Sequence, residues 1–290
     1  MTDPATGRLR LAVPNKGRMV EPTLRLLHDA GLVFEEHDRS LVSRVQNFAL
    51  DILFVRTNDV IEFVGDGVAD LGITGIDLLT ESGAELPRVR ALGYGRCRLA
   101  AAVLNDSPVR DLADLAGLRI ATAHPNSARR FFASKDIAVD IIPISGAVEV
   151  APRLGLAEAI VDLVSTGSTM DANGLRPVGT LLDSQAVLIG GTAAVEARHE
   201  LVERLELMLS GVVAARRHRY VMMNAHVDDL PAIRAVLPGM GAPSVLQLAD
   251  EGEIAVHAAV DASDVWELLP VLRDAGATSI LVLPIERLVA

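Results

Sequence analysis

Residues Ala159 to Gly174, AIVDLVSTGSTMDANG, hold the densest set of groups that could do chemistry. An apolar run of strand length delivers Asp162, and Ser165, Thr166, Gly167, Ser168 and Thr169 then place hydroxyls and backbone N–H groups within one tight turn. A glycine at the centre lets the main chain approach an anion closely, and a helix starting near Thr169 adds the positive end of its dipole. Such a nest fits a phosphate monoester, and a carboxylate at the strand end can hold ribose hydroxyls. Alone, STGST is equally compatible with a Ser/Thr-rich cap turn. Asp162 tips the reading toward the anion.

A second group is PNKGR, in which Lys16 and Arg18 flank Gly17 at a strand-to-helix turn. Two cations beside a helix N-terminus make a cradle for a polyphosphate, although a capped turn with solvated basic side chains reads the same way. Arg56 with Asp59, Asp77 in GITGID, Arg129 with Arg130, and Glu149 with Arg153 suit either the rim of a cleft or solvated caps. His124 reads first as a turn residue and second as a base. The single cysteine, Cys97, excludes an intramolecular disulfide and reads as a small core filler. No His, Cys and carboxylate set has metal-ligand spacing. The glycine-rich signatures of dinucleotide folds and P-loops are both absent.

These groups need strands and helices to aim them. At 290 residues the chain exceeds one ordinary domain, and apolar runs of strand length alternate with segments of helical period, the pattern of an α/β protein. RLRLAVP reads as a strand, Arg18 to Ala30 as a helix closed by Gly31, and LGITG as a strand after a short helix capped by Asn58 or Asp59. From Tyr94 the pattern restarts: RLAAAVL, RIATAH, DIIPIS and AIVDLVS are strands, with helices at Asn126 to Lys135 and Gly146 to Leu156. RPVGTLLD and AVLIGG then cross back to the first unit, and a long helix from Ala193 to about Arg216 leads into a tail. The tail has the order βαββαβ, the ferredoxin-like arrangement. The division expected is 1–93 with 176–215 as the first lobe, 94–175 as the second, and 216–290 as the tail. Two lobes joined by two crossings leave a cleft for a small ligand.

Hydrophobic residues make up 50% of the chain and the mean hydropathy is +0.34. Every apolar stretch is nevertheless broken well short of the ~20 residues a bilayer span needs. MTDPATGRLR has no apolar signal core, so the reading places the protein in the cytoplasm. A formal charge of −11 argues against a nucleic-acid groove, and aromatics at 3% leave few platforms for stacking bases. An anionic substrate must therefore be met by local clusters of cations.

LRLAVPNKGR, DILFVRTNDVIEFVGDGVADLGITGIDLL, SGAVEVAPRLGLAEAIVDLVSTGSTMDANGL and the βαββαβ tail together closely resemble the long form of ATP phosphoribosyltransferase, from Leu9 to about Leu288. The resemblance implies a two-lobed catalytic core similar to the type II periplasmic binding proteins, followed by a regulatory domain. It implies transfer of the 5-phosphoribosyl group from phosphoribosyl pyrophosphate to N1 of ATP with magnesium, releasing pyrophosphate. This is the first, histidine-inhibited step of histidine biosynthesis, run by a hexamer. Carried over position by position, Asp162 and Ser165 to Thr169 would hold the ribose hydroxyls and 5-phosphate, with Glu149 near the ribose or its magnesium. Lys16, Gly17, Arg18, Arg56 and Asp77 would lie around the nucleotide and pyrophosphate. Asn224, Ser244, Thr278 and Ser279 would form the histidine site, with His226 and Asp228 as substitutes. Ser168 stands where threonine is common, and Ala123-His124 replaces a frequent Glu-Tyr. Because N1 of adenine is unprotonated at neutral pH, positioning and electrostatics suffice and no covalent nucleophile is expected.

Two other classes remain for comparison. A solute-binding protein with the same two lobes would normally be exported and has no reason to carry both PNKGR and STGST. A ligand-sensing regulator could use the tail alone, but no helix-turn-helix or basic stripe accompanies it.

Overall fold

The computed structural model describes residues 7–35, 41–165, 167–237 and 241–289. Among them no helix is long and apolar enough to cross a membrane. The chain forms two compact units, one built on residues up to Glu203, the other from Arg204 onward together with Leu26–Gly31.

The first unit holds two sheets. In the first, β1 (Leu9–Pro14), β2 (Val42–Arg44), β3 (Leu50–Val55), β4 (Leu71–Gly75) and β5 (Arg88–Ala91) are laid down before the chain leaves, with α1 (Val20–Asp29), α2 (Asp59–Gly65) and α3 (Ile76–Ser82) between them. β3, β1 and β4 run parallel. LRLAVP and LGITG are almost wholly buried, as strands covered on both faces must be. The second sheet contains β6 (Cys97–Leu104), β7 (Arg119–Thr122), β8 (Asp140–Pro143), β9 (Ala159–Val164) and β10 (Leu175–Ser184), in the order β10-β6-β9-β7-β8. The helices α4 (Pro125–Ser134) and α5 (Ser168–Ala172) follow β7 and β9. The chain then returns as β11 (Ala186–Gly190), antiparallel to β4 and β5 in the first sheet. The two crossings lie side by side, with Leu92 N donating to Ala186 O at 3.0 Å and Ala186 N to Tyr94 O at 2.9 Å.

Three expectations are corrected here. The return crossing follows Ser184 instead of preceding Arg176, because β10 pairs with β6 from Leu175 to Ser184 and so stays in the second sheet. The helix expected over 146–156 shrinks to the 3-10 turn Val148–Val150. Ala147 before it is left-handed, at φ 47°, and Pro152 after it has no N–H to continue a helix. The long helix is broken into α6 (Thr192–Ala197) and α7 (His199–Arg216) at Arg198, whose φ of −128° leaves the helical region. Its Nη1 is drawn to Asp70 Oδ2 at 2.8 Å and to Arg8 O at 2.7 Å. Asp70 is buried at the entry to β4 and also accepts Arg10 N at 2.7 Å.

The tail unit builds β12 (His218–His226), α8 (Leu230–Val236), β13 (Ser244–Gln247), β14 (Glu253–Asp261), α9 (Val265–Asp274) and β15 (Thr278–Pro284). Its sheet order, β13-β14-β12-β15, and its antiparallel pairings give the expected ferredoxin-like arrangement. Alternate residues Val221, Met223, Val256 and Val260 turn inward against Ile233, Leu268 and Leu272 of the helices, the period-2 pattern of a sheet covered on one face. Residues from Arg204 onward, most of α7, group with this unit, and Leu205, Leu209 and Val212 of that helix are buried.

Candidate active site

β9 carries Ile160 and Val161 fully buried, and Asp162 follows them within the strand, paired with Ala100 of β6. A cavity of about 230 Å3 opens there, lined by Glu149, Asp162, Ser165, Gly167, Ser168 and Thr169 among others. All the described residues assigned from sequence to a phosphoribosyl site are therefore brought to one place. Thr166 lies outside the described residues. Gly167 caps α5 with φ 88°, a conformation in which an L side chain is strained and glycine is not. α5 has five residues, so its macrodipole is short and the nest depends on its own amides and hydroxyls.

Burial pushes the Asp162 carboxyl above its ordinary value, even though Leu163 N donates to its Oδ1 at 2.8 Å. The Glu149 carboxylate adds to the rise and His124 opposes it. Parallel pairing of Thr122 with Val161 explains the neighbourhood, since it sets the residues after β7 beside those after β9. His124 is more than a turn residue: it is buried, its N–H donates to Thr122 Oγ1 at 2.9 Å, and its Nδ1 has no partner among the described residues.

On the first sheet the register Pro14↔Val55 sets Arg56 beside the turn that follows β1. Lys16, Gly17, Arg18 and Arg56 are all exposed at this carboxyl edge, where open α/β sheets place ligands. Thr57 Oγ1 donates to Lys16 O at 3.3 Å and steadies the loop. Arg18 Nη2 reaches Cys97 Sγ at 3.3 Å. Cys97 is half-buried at the start of β6, so it is not the core filler expected.

Asp77 does not open onto this edge. It is 5% exposed, its Oδ1 accepts the Ser184 hydroxyl at 2.5 Å, and its N–H donates to Ser184 Oγ at 3.0 Å. It therefore clamps the crossing between the sheets. Ser184 carried no local signal in LLDSQA and could be found only through the fold. Glu81 was also missed: its carboxylate accepts the N–H groups of Asn126 at 2.9 Å and Ser127 at 2.8 Å, joining α3 to the start of α4.

In the tail, Asn224 and Thr278 are register partners, and Thr278 Oγ1 donates to Asn224 O at 3.2 Å. Ser279 follows with a left-handed φ of 48°. Ser244 lies on β13, at the opposite edge of the sheet, roughly 14 Å away at the usual strand spacing. His226 and Asp228 approach each other, Nδ1 to Oδ2 at 3.3 Å.

Known proteins resemble this chain along nearly its whole length. The profile of the family described as ATP phosphoribosyltransferase matches residues 56–211, and that of the HisG C-terminal domain matches 215–287. The ATP phosphoribosyltransferase of Gemmatimonas aurantiaca is 44% identical, covering 97% of this chain and 99% of the relative. This chain belongs to the ATP phosphoribosyltransferase family. The tail match makes it the long form. The Methanopyrus kandleri ATP phosphoribosyltransferase is 43% identical, covering 97% of this chain and 99% of the relative. A solved ATP phosphoribosyl transferase complex from Thermotoga maritima, described as HisG:HisZ, matches with a TM-score of 0.61 and 29% identity, covering 71% of this chain and 98% of that one. As an ATP phosphoribosyltransferase the chain is a pentosyltransferase, joining ATP and phosphoribosyl pyrophosphate in the first step of histidine biosynthesis.

Proposed function

We propose that the 230 Å3 cavity seats the ribose 5-phosphate end of phosphoribosyl pyrophosphate, with ATP and the departing pyrophosphate on the side of Lys16, Arg18 and Arg56. The observation that carries this is the gathering of Asp162, Glu149 and the described nest residues around one polar opening at the end of β9. Amides and hydroxyls of Ser165 to Thr169 hold the phosphate, and ionised Asp162 accepts from the ribose hydroxyls and fixes the anomeric carbon toward N1 of adenine. Reaction then needs alignment and charge stabilisation of the leaving group, which the exposed cations supply.

Magnesium fits this site in one form. Among the described residues no group of three or more His, Cys, Asp or Glu could hold a metal ion, so the ion would be bound mainly by substrate oxygens, with Asp162 and Glu149 as the nearest carboxylates. Bound there, it would neutralise charge developing on pyrophosphate.

The tail is read as a regulatory unit that binds free histidine around Asn224, Thr278 and Ser279, in a cytoplasmic homo-oligomer, a hexamer by resemblance. Its own core and its distance in sequence from PNKGR and STGST support that role. The deciding assay for the site is pyrophosphate release from ATP and phosphoribosyl pyrophosphate with magnesium, comparing wild type with Asp162→Asn and Lys16→Ala. Asp162→Asn should raise KM for phosphoribosyl pyrophosphate, and Lys16→Ala should weaken ATP or pyrophosphate. Wild-type kinetics in both variants would overturn the assignment.

A further inference from the structure

Apart from the nest, a cavity of about 590 Å3 opens between the lobes of the first unit, within the ~300–1,000 Å3 usual for small-ligand sites. One wall comes from α3 and the start of β5, the other from β6, α4 and β10. Leu86, Leu99, Phe131 and Leu181 give it an apolar flank, and Arg88 and Arg130 stand in its lining as cations. Among the described residues neither guanidinium has a hydrogen-bond or ion-pair partner, and Glu85, the one carboxylate in the lining, is not bonded to them. Two hydroxyls of the lining, Thr80 Oγ1 and Ser127 Oγ, are buried without a partner. Ser127 is only 6% exposed. Buried polar atoms in native proteins are nearly always bonded, so two orphans in one cavity call for an explanation.

The phosphoribosyl chemistry uses none of these groups. Guanidinium forks match the planar oxygens of carboxylates and phosphates, hydroxyls complete the hydrogen bonding of an oxyanion, and the leucine and phenylalanine flank accepts a compact carbon body. We propose that this cavity binds a small organic oxyanion with an apolar body, held by Arg88 and Arg130 and by the hydroxyls of Thr80 and Ser127. The walls belong to both lobes, and the Glu81 link to Asn126 and Ser127 adjoins them.

The test uses the full chain, titrated calorimetrically with benzoate, phenyl phosphate and uncharged benzyl alcohol, with and without saturating phosphoribosyl pyrophosphate and magnesium. At least one of the two anions should bind with a submillimolar Kd, and benzyl alcohol at least tenfold more weakly. Comparing benzoate with phenyl phosphate tells whether carboxylate or phosphate is preferred. The affinity should survive saturation with substrate and fall at least tenfold in Arg88→Gln and in Arg130→Gln. Both arginines are exposed, so their variants should keep wild-type circular dichroism and Tm. Binding of neither anion, binding abolished by phosphoribosyl pyrophosphate, or binding indifferent to both arginines would overturn the proposal.

Discussion

Gly167→Ala separates a phosphate nest from an ordinary cap turn, and Gly17→Ala is its matched control. The two glycines have φ of 88° and 89°, and a methyl group built on either meets nothing within 4 Å. In the free protein each substitution therefore costs backbone strain alone, roughly 1–2 kcal/mol for an L residue in the left-handed region. At about 2–4 °C per kcal/mol for a chain of this size, both variants should melt roughly 2–8 °C lower, and alike. Ligand binding should part them. At Gly167 the methyl fills the space through which a phosphate reaches the nest amides, and one charge-assisted hydrogen bond is worth about 1.5–3 kcal/mol. That corresponds to a loss of roughly 10- to 150-fold in affinity for ribose 5-phosphate. Gly17→Ala should leave ribose 5-phosphate binding near wild type and raise KM for ATP instead. Calorimetric titration with ribose 5-phosphate, combined with steady-state pyrophosphate release, reads both. A folded Gly167→Ala protein with wild-type affinity, or an equal loss in Gly17→Ala, would refute the reasoning.

Asp162→Asn should raise Tm near pH 8 while lowering kcat/KM for phosphoribosyl pyrophosphate at least tenfold. Burial lifts the folded-state pKa, so ionised Asp162 costs stability above that pKa and nothing once protonated; the Tm gain should shrink as pH falls. A Tm at pH 8 no higher than wild type would count against it. Arg198→Met leaves buried Asp70 with only Arg10 nearby and should cost about 2–4 kcal/mol in urea unfolding; a loss below about 0.5 kcal/mol, the scale of an exposed ion pair, would show that the contact is superficial. Arg119 holds the Glu158 carboxyl at about 2, down from 4.5, but both side chains are over 40% exposed. Glu158→Gln should therefore cost no more than about 1 kcal/mol, and the difference from wild type should be full above pH 4.5 and fade as pH falls toward 2. Millimolar histidine should slow pyrophosphate release by the full chain and slow it less in Thr278→Val; no response in wild type would remove the regulatory reading of the tail.

Local pattern alone determined much of this protein. Strands of VPNKGR and AIVDLVSTGST type could be read because a buried parallel strand is a short apolar run and the turn beyond it is marked by Gly, Ser and Thr. The nest around Gly167 was legible for the same reason, being contiguous in sequence, and so was the tail's βαββαβ order, read from short apolar strand segments separated by helical ones. What only the tertiary structure decided rests on pairs far apart in the chain. Asp77 looked like a strand-end acid facing a ligand until Ser184, 107 residues later, took its carboxylate. RPVGTLLD looked like the start of the return crossing, and nothing local to it says that its partner is β6. Arg198 ended a helix that its neighbours would have continued, because Asp70 is buried 128 residues earlier and needs a cation. A buried charge must be compensated wherever the fold brings a partner, and sequence spacing does not encode where that will be.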